Sequence, residues 1–391
     1  MIKLHNCRGF WLIICLFLKA ADVFSADWIF DGSLNQLTGY DNNFGLRQTP
    51  IGTFEFFLTP KVNFKRNDDD WNVQGSASYG LRQYSYSIYN NNPQNYNVNG
   101  DYRTAHTVWG LNASYAQVLT NSVASSDTGN FLTSSMRTTQ SLAPRFSYTL
   151  NKFDTINLSG MYMDNNYTAG SGFSNNTTES GTLGWKRRWT ERLSQNVTGS
   201  FSRSSFNNAA ITSLSGVTQT YSGNVGFTYE IAQQWDVSAT LGERFTNQNY
   251  TGLAGTNTSG WTASSNLSHE GMQSSQSIGF SRQVNPSGLG VLNQVTQVNA
   301  SYTYKWSEKW NAVINGVYLL SDPVGLNVNT NSALANRTYF TVQPALNWQM
   351  DRDITINLAF MFREQEYIYT AQSKALLLTF NYNWSGFKVS R

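Results

Sequence analysis

The sequence is poor in charge, cysteine, histidine and long apolar runs. Asp, Glu, Lys and Arg make up 13% of its 391 residues, against roughly 25% in a typical soluble domain. Cys7 and Cys15 are the only cysteines. Both precede residue 26, so a chain processed there has no disulfide, no thiol chemistry and no covalent haem attachment. Beyond the first 25 residues no stretch of about 18 apolar residues occurs, which excludes a helical membrane protein. His106 and His269 are the only histidines past that point. Neither has a nucleophile or third metal ligand at a recognisable spacing, so no catalytic, metal or cofactor site is expected. No basic tract is present either, and nucleic acid is not an expected partner.

Residues 1–25 have the layout of a secretory signal. Lys3 and Arg8 form a positive start, Phe10 to Leu18 form an apolar stretch too short to span, and cleavage is expected after Ser25. Removing Lys3, Arg8, Lys19 and Asp22 lowers the net charge from +3 to +1. Residues 26–391 are read as one domain.

What the sequence has in abundance is alternation. In Ile354-Thr355-Ile356-Asn357-Leu358-Ala359-Phe360-Met361-Phe362-Arg363, the apolar Ile354, Ile356, Leu358, Phe360 and Phe362 share one side. Only a strand places every second side chain on one face. Runs of this kind recur between short polar turns and longer Asn/Ser/Thr/Gly-rich loops, the pattern of a transmembrane β-barrel. Short turns are predicted near 67–70, 103–107, 151–154, 190–192, 231–234, 269–272, 307–309 and 350–353. Longer connections are predicted near 41–50, 87–95, 120–135, 167–177, 207–217, 250–258, 285–292, 321–335 and 369–373. These connections join 18 strands; without the hairpin at 103–107 the number is 16. An even number puts both termini on the short-turn side, which is periplasmic in outer-membrane barrels. The last strand ends either at Trp384 or beyond it, through Phe387.

Tryptophan marks one end of the barrel. Trp71, Trp189, Trp235, Trp306, Trp310 and Trp348 fall beside predicted short turns, and Trp384 lies on the same side. Indoles favour the headgroup level, so these residues are expected to form a periplasmic aromatic girdle. Arg187 shares a face with Trp185 and Trp189, where it can snorkel. Strand parity places Glu55, Lys61, Arg145, Lys186, Glu230, Arg244, Lys305 and Arg363 on the lumen side. There they tune ion selectivity or brace the wall as ion pairs. Loops 120–135 and 321–335 are the candidates for folding inward, though no loop has the length of a typical constriction loop. Pro60, Pro144 and Pro344 recur at one strand position, where each must leave a ladder group unpaired.

Several hairpins resemble a known family. They include Pro144-Arg145-Phe146-Ser147-Tyr148-Thr149-Leu150, Trp189-Thr190-Glu191-Arg192-Leu193, Tyr304-Lys305-Trp306-Ser307-Glu308-Lys309-Trp310 and Leu346-Asn347-Trp348-Gln349-Met350-Asp351-Arg352-Asp353. Tyr40-Asp41-Asn42-Asn43 and Phe380-Asn381-Tyr382-Asn383-Trp384 extend the likeness to both ends. The family is the PEP-CTERM system-associated outer-membrane β-barrel group of Gram-negative bacteria. The resemblance implies a porin-like, non-enzymatic wall or channel protein, linked to export of exopolysaccharide or surface protein. Its expected partners are outer-membrane lipid and lipopolysaccharide, the barrel assembly machinery, and a periplasmic or surface protein. At lower resolution the chain is also similar to the barrel sheaths of multihaem-cytochrome conduits.

Overall fold

A computed structural model describes residues 28–125, 127, 131, 133–207, 215–252, 254–325 and 336–389. The expected signal segment lies outside the described residues. The wall begins with β1 (Trp28–Asp41), β2 (Thr53–Asn67), β3 (Trp71–Tyr79), β4 (Leu81–Tyr84), β5 (Gln94–Arg103) and β6 (Thr107–Leu119). It continues through β7 (Met136–Thr149), β8 (Asp154–Tyr167), β9 (Asn175–Arg188), β10 (Leu193–Asn207), β11 (Gly216–Ala232) and β12 (Trp235–Tyr250). The remaining strands are β13 (Thr256–Glu270), β14 (Ser274–Pro286), β15 (Leu292–Lys305), β16 (Trp310–Pro323), β17 (Arg337–Gln349), β18 (Ile354–Glu366) and β19 (Thr370–Val389).

Apart from β3 and β4, each strand pairs antiparallel with the strands before and after it, β5 taking β3 in place of β4, and β1 closes the ring on β19. β3 and β4 both pair with β2, at Lys61–Asn67 and Glu55–Leu58 respectively, so they are two halves of one wall position. The barrel therefore has eighteen staves, and the sixteen-stave alternative is overturned. The hairpin at 103–107 that decides the number is present, with β5 and β6 in register from Gln94↔Gln117 to Arg103↔Val108.

The three repeated prolines have a structural account. Pairing between β7 and β8 skips from Leu142↔Tyr162 to Arg145↔Ser159 around Pro144. Between β17 and β18 it skips from Val342↔Phe362 to Ala345↔Ala359 around Pro344. Pro60 faces the break between β3 and β4 at Gly80. A proline has no N–H to donate, so each one opens the ladder to the strand that follows it.

The closing seam contains a bulge. Phe30 pairs with Phe387 and Gly32 with Trp384, so two residues of β19 oppose one of β1. The last strand thus runs past Trp384 through Phe387 to Val389, and it does so through Gly386 at φ 72°. Both described chain ends lie beside Arg66 and the 68–70 turn, at the short-turn end of the barrel.

Register separates two faces. Leu158↔Leu183, Phe201↔Tyr221 and Phe227↔Ala239 lie on the outer face, where Leu158, Leu183, Phe201, Tyr221 and Phe227 are exposed large apolar side chains. Inside, Asn347 receives a bond from Asn357 at 2.6 Å and donates to Asn311 at 2.7 Å. Ser114–Ser141 and Ser200–Ser222 pairs add to this wetted lining. One pair of substitutions tests the face assignment. Leu183→Arg puts a cation against lipid and is expected to cost roughly 2–4 kcal/mol in unfolding free energy. Thr182→Arg, one residue away and inward, is expected to leave the urea midpoint nearly unchanged. Equal losses would place both residues on the same kind of surface.

Candidate functional site

The buried core sits at the long-loop end of the barrel, where loops fold in among the strand tops. Tyr167, Phe173, Leu289 and Val291 form one apolar cluster. Leu46, Ala124, Phe131 and Ala371 form a second, against Tyr339 and Tyr369. Phe206, Tyr250, Leu292 and Val324 form a third. Each joins residues from distant parts of the wall. Nearer the short turns, inward Lys61, Arg145 and Lys186 remain exposed, so that half of the bore is open to solvent.

Asp127, in the loop between β6 and β7, is the pin of this plug. Its carboxylate accepts bonds from Arg137 of β7 at 3.1 Å and from the Tyr167 hydroxyl of β8 at 2.6 Å. It also accepts the Gly288 backbone N–H at 2.7 Å. Its own carbonyl takes Ser287 Oγ, Asn293 Nδ2 and Arg337 Nη2 at 3.1–3.3 Å. β7 and β8 lie about halfway round the ring from β15 and β17. One residue thus ties opposite walls together across the lumen. Asp127, in the first of the two loops expected to fold inward, accordingly lies inside the barrel. Val324, in the second candidate loop, also reaches inward: its carbonyl accepts Gln248 Nε2 from β12 at 3.1 Å.

A second polar knot braces the rim near the seam. Arg363 bonds Asp41 at 2.5 Å and Ser373 Oγ at 3.1 Å, and Ser373 in turn donates to Asp41 at 2.6 Å. The Arg363 guanidinium lies over the Phe44 ring. Above it, burial raises the pKa of the Tyr369 phenol, which stays a neutral donor to the Leu46 carbonyl.

The residues expected inward from strand parity have these neighbours across the ladder. Glu55 opposes Gly39 and Tyr84; Lys61 opposes Ser33 and Ser78; Lys186 opposes Asn196 and Thr155; Glu230 opposes Asp236; Lys305 opposes Asn311. The residues are not one site. Arg145 pairs with Asp101 at 2.5 Å and Arg363 with Asp41, so these two brace the wall. Arg244 is 3% exposed and bonds Thr246 and Gln294. Lys61, Lys186 and Lys305 remain exposed along the lower bore.

Asp127, Arg137 and Arg337 are absent from that set. Strand parity alone places Arg137 and Arg337 inside, at the tops of their strands, but no local pattern marks an aspartate whose partners lie up to 210 residues away.

The tryptophans gather at the short-turn end. Trp71 and Trp235 open their strands, Trp189 and Trp306 lie in turns, and Trp384 faces outward beside Gly32. Trp310 and Trp348 stack across a strand pair at 5.6 Å. Arg187 lies over Trp189 and approaches Asp154 at 3.6 Å. His106 sits on the β5–β6 turn and His269 near the end of β13, far round the ring from it, so the two cannot share a metal. His269 stacks on Trp235 at 4.5 Å.

A closed antiparallel barrel of this size, apolar outside and polar within, is an outer-membrane β-barrel of the Gram-negative type. Two solved structures share that fold over nearly their whole length. Acinetobacter baumannii OccAB4 aligns with TM-score 0.53 and 9% identity, covering 94% of this chain and 99% of its own. Pseudomonas aeruginosa OccK5 (OpdH) aligns with TM-score 0.50 and 10% identity, covering 91% and 98%. No protein-family model and no curated protein matches the sequence.

Proposed function

We propose that the protein is a selective outer-membrane channel for small hydrophilic solutes, anions in preference to cations. The observation that carries this reading is Asp127, held inside the lumen by bonds from opposite walls. The charge preference rests on the inner wall. Arg145, Arg363 and Arg137 are balanced by Asp101, Asp41 and Asp127. That leaves Lys61, Lys186, Arg244, Lys305 and Arg337, with no carboxylate in ion-pair distance among the described residues, against Glu55, Glu230 and Asp236. Cations at a constriction raise the local concentration of anions.

One structural observation and one sequence likeness bear on the alternatives. The tie that Asp127 makes between opposite walls lies within the bore, which argues against the sheath reading. The hairpin likeness to the PEP-CTERM-associated barrels favours a place beside an exopolysaccharide or surface-protein export system, with both termini in the periplasm and a periplasmic or surface protein docked on the barrel. Swelling of liposomes containing the folded barrel tests the channel. Gluconate is expected to enter faster than a cation of similar size such as arginine, and long maltodextrins are expected to be excluded. Faster entry of arginine would contradict the charge preference.

A further inference from the structure

The wall is incompletely zipped at one place. β13 pairs with β12 along its length, from Gln248↔Thr256 to Trp235↔His269. With β14 it pairs only from Ala263↔Arg282 to Glu270↔Ser275. Residues 256–262 therefore present an edge with no ladder partner among the described strands. The cause lies inside the barrel. The tip of the β14–β15 hairpin leans into the lumen, where Val284 and Leu292 pack with Phe206, Tyr250 and Val324 and Gly288 bonds Asp127. Its departure leaves a cleft in the hydrogen-bond ladder between β13 and the top of β14, past which Arg244 reaches Gln294 of β15 at 3.1 Å.

Two arginines stand astride that cleft. Arg244 approaches from the inner face of β12, its guanidinium lying flat under Gly260, where an added Cβ would meet Nη2 at 3.0 Å. It is 3% exposed, and its Nε has no hydrogen-bond partner among the described residues. Arg282 stands on the outer face at the last position of β14 that pairs with β13, its guanidinium 4.3 Å from the centre of the Trp261 ring. It bonds Thr296 Oγ1 at 3.3 Å, and its Nε is likewise buried without a partner. Arg137, Arg145, Arg187 and Arg363 each have a carboxylate within ion-pair distance. No such acid meets Arg244 or Arg282 among the described residues. Burying guanidinium charge without a counter-anion is costly. Trp261 adds a further pointer: unlike the tryptophans of the short-turn girdle, it lies on the outer face toward the long-loop end. Trp261 and Phe280 stack at 6.4 Å to give an apolar wall below the cation.

We infer that the cleft between β13 and β14 is a binding site for the anionic headgroup of a membrane amphiphile. Arg282 and Arg244 take the oxyanion, and the acyl chain lies down the outer wall over Trp261, Phe280 and Ile278. The site is in the wall, so it stands or falls independently of what the lumen conducts. Guanidinium groups suit phosphate because their N–H fork matches its oxygens, and an indole suits the boundary between headgroup and chain.

The test uses the full barrel folded in a neutral detergent, with unfolding followed by loss of the fast-migrating folded band on heating. Phosphatidylglycerol is expected to raise the melting midpoint, and phosphatidylcholine or inorganic phosphate at the same concentration is not. R282Q and R244Q are each expected to weaken the phosphatidylglycerol response at least about tenfold in concentration, the loss of one charge-assisted contact. R203Q, an outward arginine of β10 away from the cleft, is the control and is expected to respond like wild type. If R244Q does not fold, R282Q decides, together with the phospholipid retained by wild-type protein through purification. Equal stabilisation by phosphatidylcholine, an unweakened response in R282Q, or equal loss in R203Q would overturn the site. Full stabilisation by inorganic phosphate alone would overturn its assignment to an amphiphile.

Discussion

Asp127→Ala is expected to raise single-channel conductance severalfold while leaving the barrel folded. Asp127 ties opposite walls by both its side chain and its backbone. The carboxylate alone binds Arg137, Tyr167 and the Gly288 N–H. Removing it leaves the Arg137 guanidinium and the Tyr167 hydroxyl buried without that partner, and each then gains by turning toward lumen water. The loop loses its tie to β7 and β8 and keeps weaker carbonyl contacts on the other wall. The ladders of β6, β7 and β8 do not involve Asp127, so heat-modifiable migration should be retained. The freed cations should also sharpen anion preference. Unchanged conductance in a folded Asp127→Ala barrel would mean that the current path does not pass Asp127.

The second large effect belongs to the seam. Gly386→Ala is expected to lower the yield of folded barrel sharply and to drop its melting midpoint by many degrees. Gly386 has φ 72°, and a Cβ there would lie 1.7 Å from the Phe30 carbonyl oxygen. Positive φ alone costs a non-glycine residue of order 1–3 kcal/mol. The overlap with a backbone atom cannot be relieved by a rotamer change, so the bulge itself has to move. Moving it uncouples Phe387 from Phe30, whose rings stack at 5.3 Å, and disturbs Trp384 above Gly32. This is where the two ends of the sheet meet, and closure is what satisfies every strand edge within the membrane. Gly170→Ala also sits at positive φ, but with nothing within 4 Å of its Cβ, and serves as the comparison. A Gly386→Ala barrel as heat-stable as Gly170→Ala would refute the role given to the bulge.

Much of this architecture was legible in the residues. Period-two alternation and the contrast between short and long connections mark the staves from residue 136 onward, because a strand cannot shift by one without exchanging its faces. Before it the first strand alternates poorly, and the hairpin at 103–107 leaves sixteen or eighteen open. Strand parity likewise puts the inward charges on their face. The bulge left a trace too. Trp384 and Phe387 share the outer face yet are three apart, which strict alternation forbids. The inward plug left almost none. Asp127 is one acidic residue in a polar stretch, and its partners come from strands that closure alone brings near. The cleft was hidden for a related reason: Thr256–Thr262 alternate as the paired strands do, since alternation records the face of a residue and not its neighbour. Only the solitary position of Trp261 hinted that this part of the wall differs.

The most direct test of the account is single-channel recording of the purified, folded barrel in a planar bilayer under a potassium chloride gradient. The account predicts a small, steady conductance whose reversal potential reports chloride passing faster than potassium, with the current enlarged in Asp127→Ala. Repeated insertion with no current in either protein, or a reversal potential of the opposite sign, would contradict it.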